Sequence, residues 1–189
     1  WGKTLYTQLS LLLFIPVVVA GYTISTRIAL RISIWLNPWA PERADRAFQI
    51  LQSLFALGAG GLLGQGLGQG VPTLIPAVHT DFIFSALMEE FGLAGGIALI
   101  LAIAALAQRG VRLARRTPSA FESLLAGGLT ALLCIQSWVI IGGNIKLIPI
   151  TGVTLPYISY GGSSLLTTLT VTGILLNLSA PHPPPLRLR

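Results

Sequence analysis

Charge is what this sequence has least of. Of its 189 residues only 10% are charged, against about 25% in an average soluble domain. Acids are the scarcest, with six Asp and Glu against 12 Lys and Arg. So few charges among such long apolar runs argue against a water-soluble domain and for a chain embedded in lipid. Cysteine is nearly absent. Cys134 alone, inside an apolar run, supports neither a disulfide framework nor a metal site. The glycine-rich "GQGLGQG" at 64–70 lacks a flanking strand and helix, which excludes a nucleotide loop. No charged n-region with a cleavage site marks a signal peptide, and the chain opens on Trp1, so its first residues are not read as a natural start. The net charge of +6 comes without an aromatic-interleaved basic surface. It fits positive-inside topology and excludes nucleic acid as the partner.

The apolar runs predict an all-α integral membrane protein with four transmembrane helices, at about 5–30, 82–107, 121–143 and 164–178. Pro16 is a candidate kink in the first. Gly95, Gly96, Gly127 and Gly128 suit close helix contacts in lipid. A long extracytoplasmic loop, 31–80, carries Trp35 and Trp39 as interfacial anchors and an interfacial or re-entrant helix at 48–57. The Pro- and Arg-bearing tail, 179–189, is cytoplasmic in this reading. Orientation follows from Arg109, Arg112, Arg115 and Arg116, read as a crowded loop after the second span, with Arg187, Arg189 and Lys3 on the same side. Residues 31–80 and 144–162 then lie outside.

Three of the six acids fall in one short stretch, "HTDFIFSALMEEFG" at 79–92. Asp81 stands where a carboxylate could cap a helix or work at the mouth of a cavity. Glu89 and Glu90 fall about two turns deeper, where an ionised group costs roughly 2.5–3.5 kcal/mol and needs a cavity or a partner. The plainer alternatives are an intramembrane ion pair or a helix that starts only at Leu93. At about 100° per residue, Glu89 lies about 80° from Asp81 and Glu90 nearly opposite it. Glu89 is therefore expected to border the cavity with Asp81, and Glu90 to be structural. Asp81 and Glu89 are about 12 Å apart along such a helix, too far for a two-carboxylate glycosidase pair. One working carboxylate with electrostatic support is expected.

A second polar cluster is "NIKLIPITGVTLPYISYGGSSLL" at 144–166. Pro149, Gly152, Pro156, Gly161 and Gly162 interrupt regular structure among Lys146, Ser159, Tyr160, Ser163 and Ser164. It reads either as a structured hairpin loop or as irregular backbone lining a cavity. His79 by itself reads as a loop histidine.

These segments resemble the SEDS family (shape, elongation, division and sporulation), which includes FtsW, RodA and a spore-cortex homologue. The matching pieces occur in family order: "NPW" at 37–39, the stretch 48–70, "HTDFIFSALMEEFGLAGG" at 79–96 and "IPITGVTLPYISYGGSSLL" at 148–166. The departures are Ala77 and Val78 before the first acid, a shorter link from Gly70 to His79, and Lys146 where many members carry glycine.

The resemblance implies the last four helices of a ten-helix bundle, with six upstream helices in the same or another chain. It implies a multi-pass protein of the bacterial plasma membrane with Asp81 outside. Members of the family polymerise lipid II into glycan strands for division or cell shape, beside a class B penicillin-binding protein. The essential acid of their HTDFIF motif falls on Asp81. Around it, Glu89, His79, Lys146, Ser159, Tyr160 and Ser163 are expected to support the cavity, and Glu90, Pro156, Gly161 and Gly162 to be structural. Lys146 and Arg31 are candidate contacts to a leaving pyrophosphate. No cofactor is required by this reading, with a magnesium or manganese ion as a further candidate source of positive charge and its ligands unassigned. The competing expectations are a lipid II flippase and a non-catalytic subunit of another membrane complex.

Overall fold

The computed structural model describes residues 12, 16, 25–40 and 44–180 of the chain. The first expected span falls largely outside the described residues, as do 181–189 of the tail. The chain forms two compact units, residues 1–51 and 52–189.

In the first unit, α1 runs Thr26–Leu36. It continues past the expected end of the first span and takes Trp35 into the helix. Asn37 and Pro38 then end it, because proline cannot donate to the next turn and disfavours helix in the residue before it. Helix α2, Ala44–Gly60, covers the stretch expected at 48–57. Its apolar part, Ala47–Gly60, is short for a span.

Three long helices build the second unit: α3 (Ile83–Arg116), α4 (Ala120–Asn144) and α5 (Gly162–Ser179). All three are long and apolar enough to cross a membrane. Only 11%, 33% and 11% of their most apolar windows are buried within the protein. Side chains this apolar and this uncovered need lipid around them. Helix α3 packs along α4, and α5 touches both. Helices α3 and α4 fit tightly where Gly110 meets Thr130, whose hydroxyl stands where a Cβ on residue 110 would be. Of the glycines expected at close contacts, Gly127 meets Ala114 of α3 at ordinary distance and Gly128 faces open space, while a Cβ on Gly95 or Gly96 would strike Phe91 or Met88 within α3 itself. The core of the unit is Phe84, Ile140, Ile141 and Leu155, with Leu57, Met88, Leu99 and Ile103 packed on it.

Two departures from the expected spans matter for the site. First, α3 is two helices joined at Gly92, whose φ of 65° and ψ of −166° are not helical. A Cβ there would also strike Gly64 and Leu62, so only glycine fits. The glycine-rich loop wraps this break. Gln65 and Gly66 donate to the carbonyls of Glu89 and Glu90 at 2.9 and 3.0 Å, and Leu93 and Ala94 donate to Gly61 and Leu62 at 2.9 and 3.1 Å. Backbone groups orphaned by the break are thereby satisfied. The second helix of α3 starts after the break, at Leu93. The arginines expected in a loop are on the helix itself, so it runs on to Arg116. These 24 residues reach about 36 Å, enough for a hydrocarbon core of about 30 Å.

Second, the segment after α4 is not a hairpin standing outside the bundle. It folds back between the helices. Gln136 donates its Nε2–H to the Thr154 carbonyl at 2.9 Å, eight residues and so about 12 Å back from Asn144 along α4. The hydroxyls of Tyr157 and Thr172 meet at 2.8 Å, well inside α5. Leu155 is 1% exposed and Pro156 is buried. Irregular backbone at this depth is tolerated because protein surrounds it.

Candidate functional site

Asp81 does not sit on α3. The N-cap of α3 is Phe82, whose own side chain makes no capping bond; the first turn is capped instead by Asn144, whose Oδ1 accepts the Ser85 N–H at 3.3 Å. Asp81 ends a tight turn built on Ala77, a residue with φ of 57°. The Ala77 carbonyl accepts from the N–H groups of Thr80 at 3.1 Å and Asp81 at 3.0 Å. Extrapolating helical phase from Asp81 to the two glutamates therefore fails, since the turn breaks the 100° count.

Three consecutive carbonyls of the turn are held from outside. The Tyr160 N–H donates to the His79 carbonyl at 2.7 Å. The Ser159 hydroxyl donates to Thr80 at 2.7 Å, and the Asn144 Nδ2–H donates to Asp81 at 2.8 Å. Ser159 also accepts the Leu155 N–H at 2.8 Å, which ties the clamp to the re-entrant segment. Asn144 is 3% exposed. It gives its second Nδ2–H to the Ile140 carbonyl at 2.9 Å and accepts the Ser85 hydroxyl at 2.8 Å. The Ser85 hydroxyl lies 2.7 Å from that of Ser53 on α2. A buried chain of polar groups thus runs from α2 through α3 and the end of α4 to the backbone of Asp81. Such a network is rigid because each buried group would be costly to leave unpaired.

The Asp81 carboxylate is directed at Gly152. A Cβ built there would lie 3.6 Å from Asp81 Oδ2. Gly152, with φ of 76°, also lines a polar groove of about 400 Å³ with Gln136, Thr154, Ser163, Ser164 and Thr167. The carboxylate therefore stands next to Gly152, a residue of a groove whose other walls carry amide and hydroxyl groups beside Val153. Those are the groups that hydrogen-bond sugars and phosphates.

The other expected site residues divide. Ser163 lines the groove. Ser159 is buried in the clamp, and Tyr160 contributes its backbone while the residue stays 80% exposed. Pro156 is buried inside the bundle, at the turn of the re-entrant segment. Gly161 is the N-cap of α5 in an extended conformation, and Gly162 opens the helix with space around it, so neither position demands glycine. Lys146 is half-buried in the turn after α4, with φ of 61°. Arg31 is exposed on α1, in the other unit.

The glutamates do not have the expected placement. Glu89 is 7% exposed and lies under the glycine loop. Its Oε1 accepts the Val71 N–H at 3.0 Å, and its carboxyl carbon packs about 3.0 Å from the Cβ position of Gly70. Among the described residues its Oε2 has no hydrogen-bond partner. Glu90 is the more open of the pair. It accepts the Gly68 N–H at 3.3 Å and lines a cavity of about 300 Å³ with His79, Thr73, Val78 and Ile83. The helical break at Gly92 and the loop over it set these directions.

Among the described residues no group of three His, Cys, Asp or Glu side chains could hold a metal ion.

Sequence reading missed Asn144, Ser85 and Ser53. Ser85 falls in the second expected span and Ser53 in the expected interfacial helix, while Asn144 was read only as the first residue of the polar cluster at 144–166; only the fold brings them together. A buried asparagine at the end of a span was the one available signal.

The family model described as a cell cycle protein, covering FtsW, RodA and SpoVE, matches residues 2–182. This chain belongs to that family. It is 42% identical over 184 residues to the peptidoglycan glycosyltransferase RodA of Mycobacterium tuberculosis, covering 97% of this chain and 39% of that protein. It is 46% identical over 151 residues to the stage V sporulation protein E of Bacillus subtilis, covering 79% and 41%. A probable peptidoglycan glycosyltransferase FtsW of Geobacter sulfurreducens is 48% identical over 151 residues, covering 79% and 40%. Among solved structures, a chain from a study of polymerization and crosslinking by a peptidoglycan synthase complex aligns with a TM-score of 0.69 at 28% identity, covering 94% of this chain and 49% of that one. The chain spans about two fifths of the length of these curated relatives. For a FtsW, RodA and SpoVE family member with three apolar spans, the residence is a membrane.

Proposed function

We propose that this chain carries the catalytic half of a peptidoglycan glycosyltransferase, with Asp81 as general base of an inverting transfer. The acceptor is the sugar hydroxyl of lipid II or of a growing glycan. Asp81 takes its proton while the oxygen attacks the anomeric carbon of a second lipid-linked sugar. The bond from that carbon to polyprenyl pyrophosphate breaks, and the pyrophosphate leaves with the electron pair. No nucleotide sugar is involved. The acceptor lies in the groove, and Lys146 is assigned to the leaving pyrophosphate, with any magnesium or manganese ion arriving on the substrate. The reaction takes place at the outer membrane face with a class B penicillin-binding protein alongside. The supporting observation is the position of Asp81: its backbone is clamped at three successive carbonyls and its carboxylate stands next to Gly152, a residue of the groove that carries hydroxyls and amides. A general base must be held to a fraction of an ångström, and such a clamp serves that need.

The test is Asp81→Asn in the intact membrane protein with its penicillin-binding partner, assayed for glycan from purified lipid II. A general base contributes typically about 10²–10⁴-fold, so product should fall by at least about a hundredfold with insertion and thermal stability unchanged. Near-normal product would overturn the role. Loss of headgroup translocation together with polymerisation would favour transport instead.

A further inference from the structure

At the end of α3 opposite Asp81 lies a crevice of about 990 Å³, which the proposed reaction does not use. Its walls are the last turns of α3, the start of α4 and the last turns of α5. Arg109, Arg112 and Arg116 line it at i, i+3 and i+7, so they share one helical face with Leu106 and Leu113. Arg115 points elsewhere and is not in the lining. Leu175, Leu176 and Leu178 of α5 form the facing wall, and the hydrogen-bonded Tyr157 and Thr172 lie on it. Three guanidinium groups face one carboxylate, Glu122, in the lining.

We infer that this crevice is a binding site for an anionic phospholipid, with the phosphate against the arginines and an acyl chain along the leucines. The argument is charge and shape together. Guanidinium groups pair with phosphate through forked hydrogen bonds. The leucine walls continue from that charged end toward the apolar middle of α3 and α5, which is the layout of a lipid rather than of a free phosphate. A basic pocket between spanning helices is the physical form such headgroup sites take. The volume is at the upper end for a ligand site, room enough for a headgroup and part of a chain.

The test uses the intact protein in phosphatidylcholine vesicles doped with acyl-chain spin-labelled phosphatidylglycerol or phosphatidylcholine. The motionally restricted fraction of the spectrum is the readout. Restriction should favour phosphatidylglycerol. Arg112→Gln and Arg116→Gln should each weaken that preference about fivefold, the equivalent of about 1 kcal/mol per arginine at a membrane surface. Arg115→Gln should leave it nearly unchanged. Leu175→Trp, which fills the crevice and leaves every charge in place, should also remove the preference. Four results would each overturn the inference. One is no preference in the unaltered protein, and another is an equal loss from Arg115→Gln, which would mean a diffuse basic belt. The third is full preference in Leu175→Trp. The fourth is a disulfide, in a Cys134→Ser background, between cysteines at position 113 and in residues 5–24, which would mean that protein fills the crevice.

Discussion

Asn144 uses its whole hydrogen-bonding capacity inside the protein. It donates to Asp81 and Ile140 and accepts from Ser85 through both backbone and hydroxyl. Asn144→Ala leaves these groups without a partner, at about 1–3 kcal/mol for each that water cannot reach. The expected outcome is lower thermal stability and lost glycan synthesis together. Asn144→Asp is more telling, because it keeps size and acceptors but removes both donated N–H groups. It should leave the Asp81 turn loose and reduce kcat more than it raises KM for lipid II. An unchanged kcat would mean that the clamp on Asp81 has no part in catalysis. Glu89 is a different case, since its Oε1 holds the glycine loop at Val71. Glu89→Gln keeps that acceptor and should be mild. Glu89→Leu orphans the Val71 N–H and should speed hydrogen exchange across residues 64–71.

At the scale of elements, two breaks in regular structure shape the site. Gly92 divides α3, and the glycine loop seals the gap with four backbone hydrogen bonds. Gly92→Ala meets both a positive φ and the backbone of Leu62 and Gly64. An unfavourable backbone region alone costs of order 1–3 kcal/mol, so the variant should show reduced yield and a lowered Tm in detergent. A Tm equal to that of the unaltered protein would show that the break relaxes freely. The second break is the re-entrant segment, fixed by Gln136 to Thr154 and by Tyr157 to Thr172. Gln136→Ala should raise amide exchange at 154–158 and leave the rest of α4 protected.

For the whole molecule, the expected orientation follows from the arginines. Four of them close α3, beyond its apolar window, and so many cations in one short stretch resist translocation. In a Cys134→Ser background, cysteine at Ser119 should be shielded from an impermeant reagent added outside cells, and cysteine at Gln69, an exposed residue of the glycine loop, should react. The reverse pattern would put Asp81 on the inner side and remove the proposed access to lipid II from outside.

Hydrophobic length and composition determined the membrane class and the existence of α3, α4 and α5, because an apolar run of about 20 residues has one stable solution in lipid. The motif stretches at 79–96 and 148–166 carried the family and singled out Asp81. Only the tertiary structure decided which polar groups meet. Sequence spacing assumed one unbroken helix through residues 81–90, whereas the Ala77 turn before it and the Gly92 break after it are held by partners far away in the chain, Asn144, Ser159 and Tyr160 for the turn and residues 61–66 for the break. Such non-local bonds leave no periodic trace. That is why Glu89 and Glu90 face other than helical phase suggests, and why the arginines extend a span instead of forming a loop. It is also why Asn144, read from the sequence only as the start of a polar cluster, turns out to hold the Asp81 carbonyl.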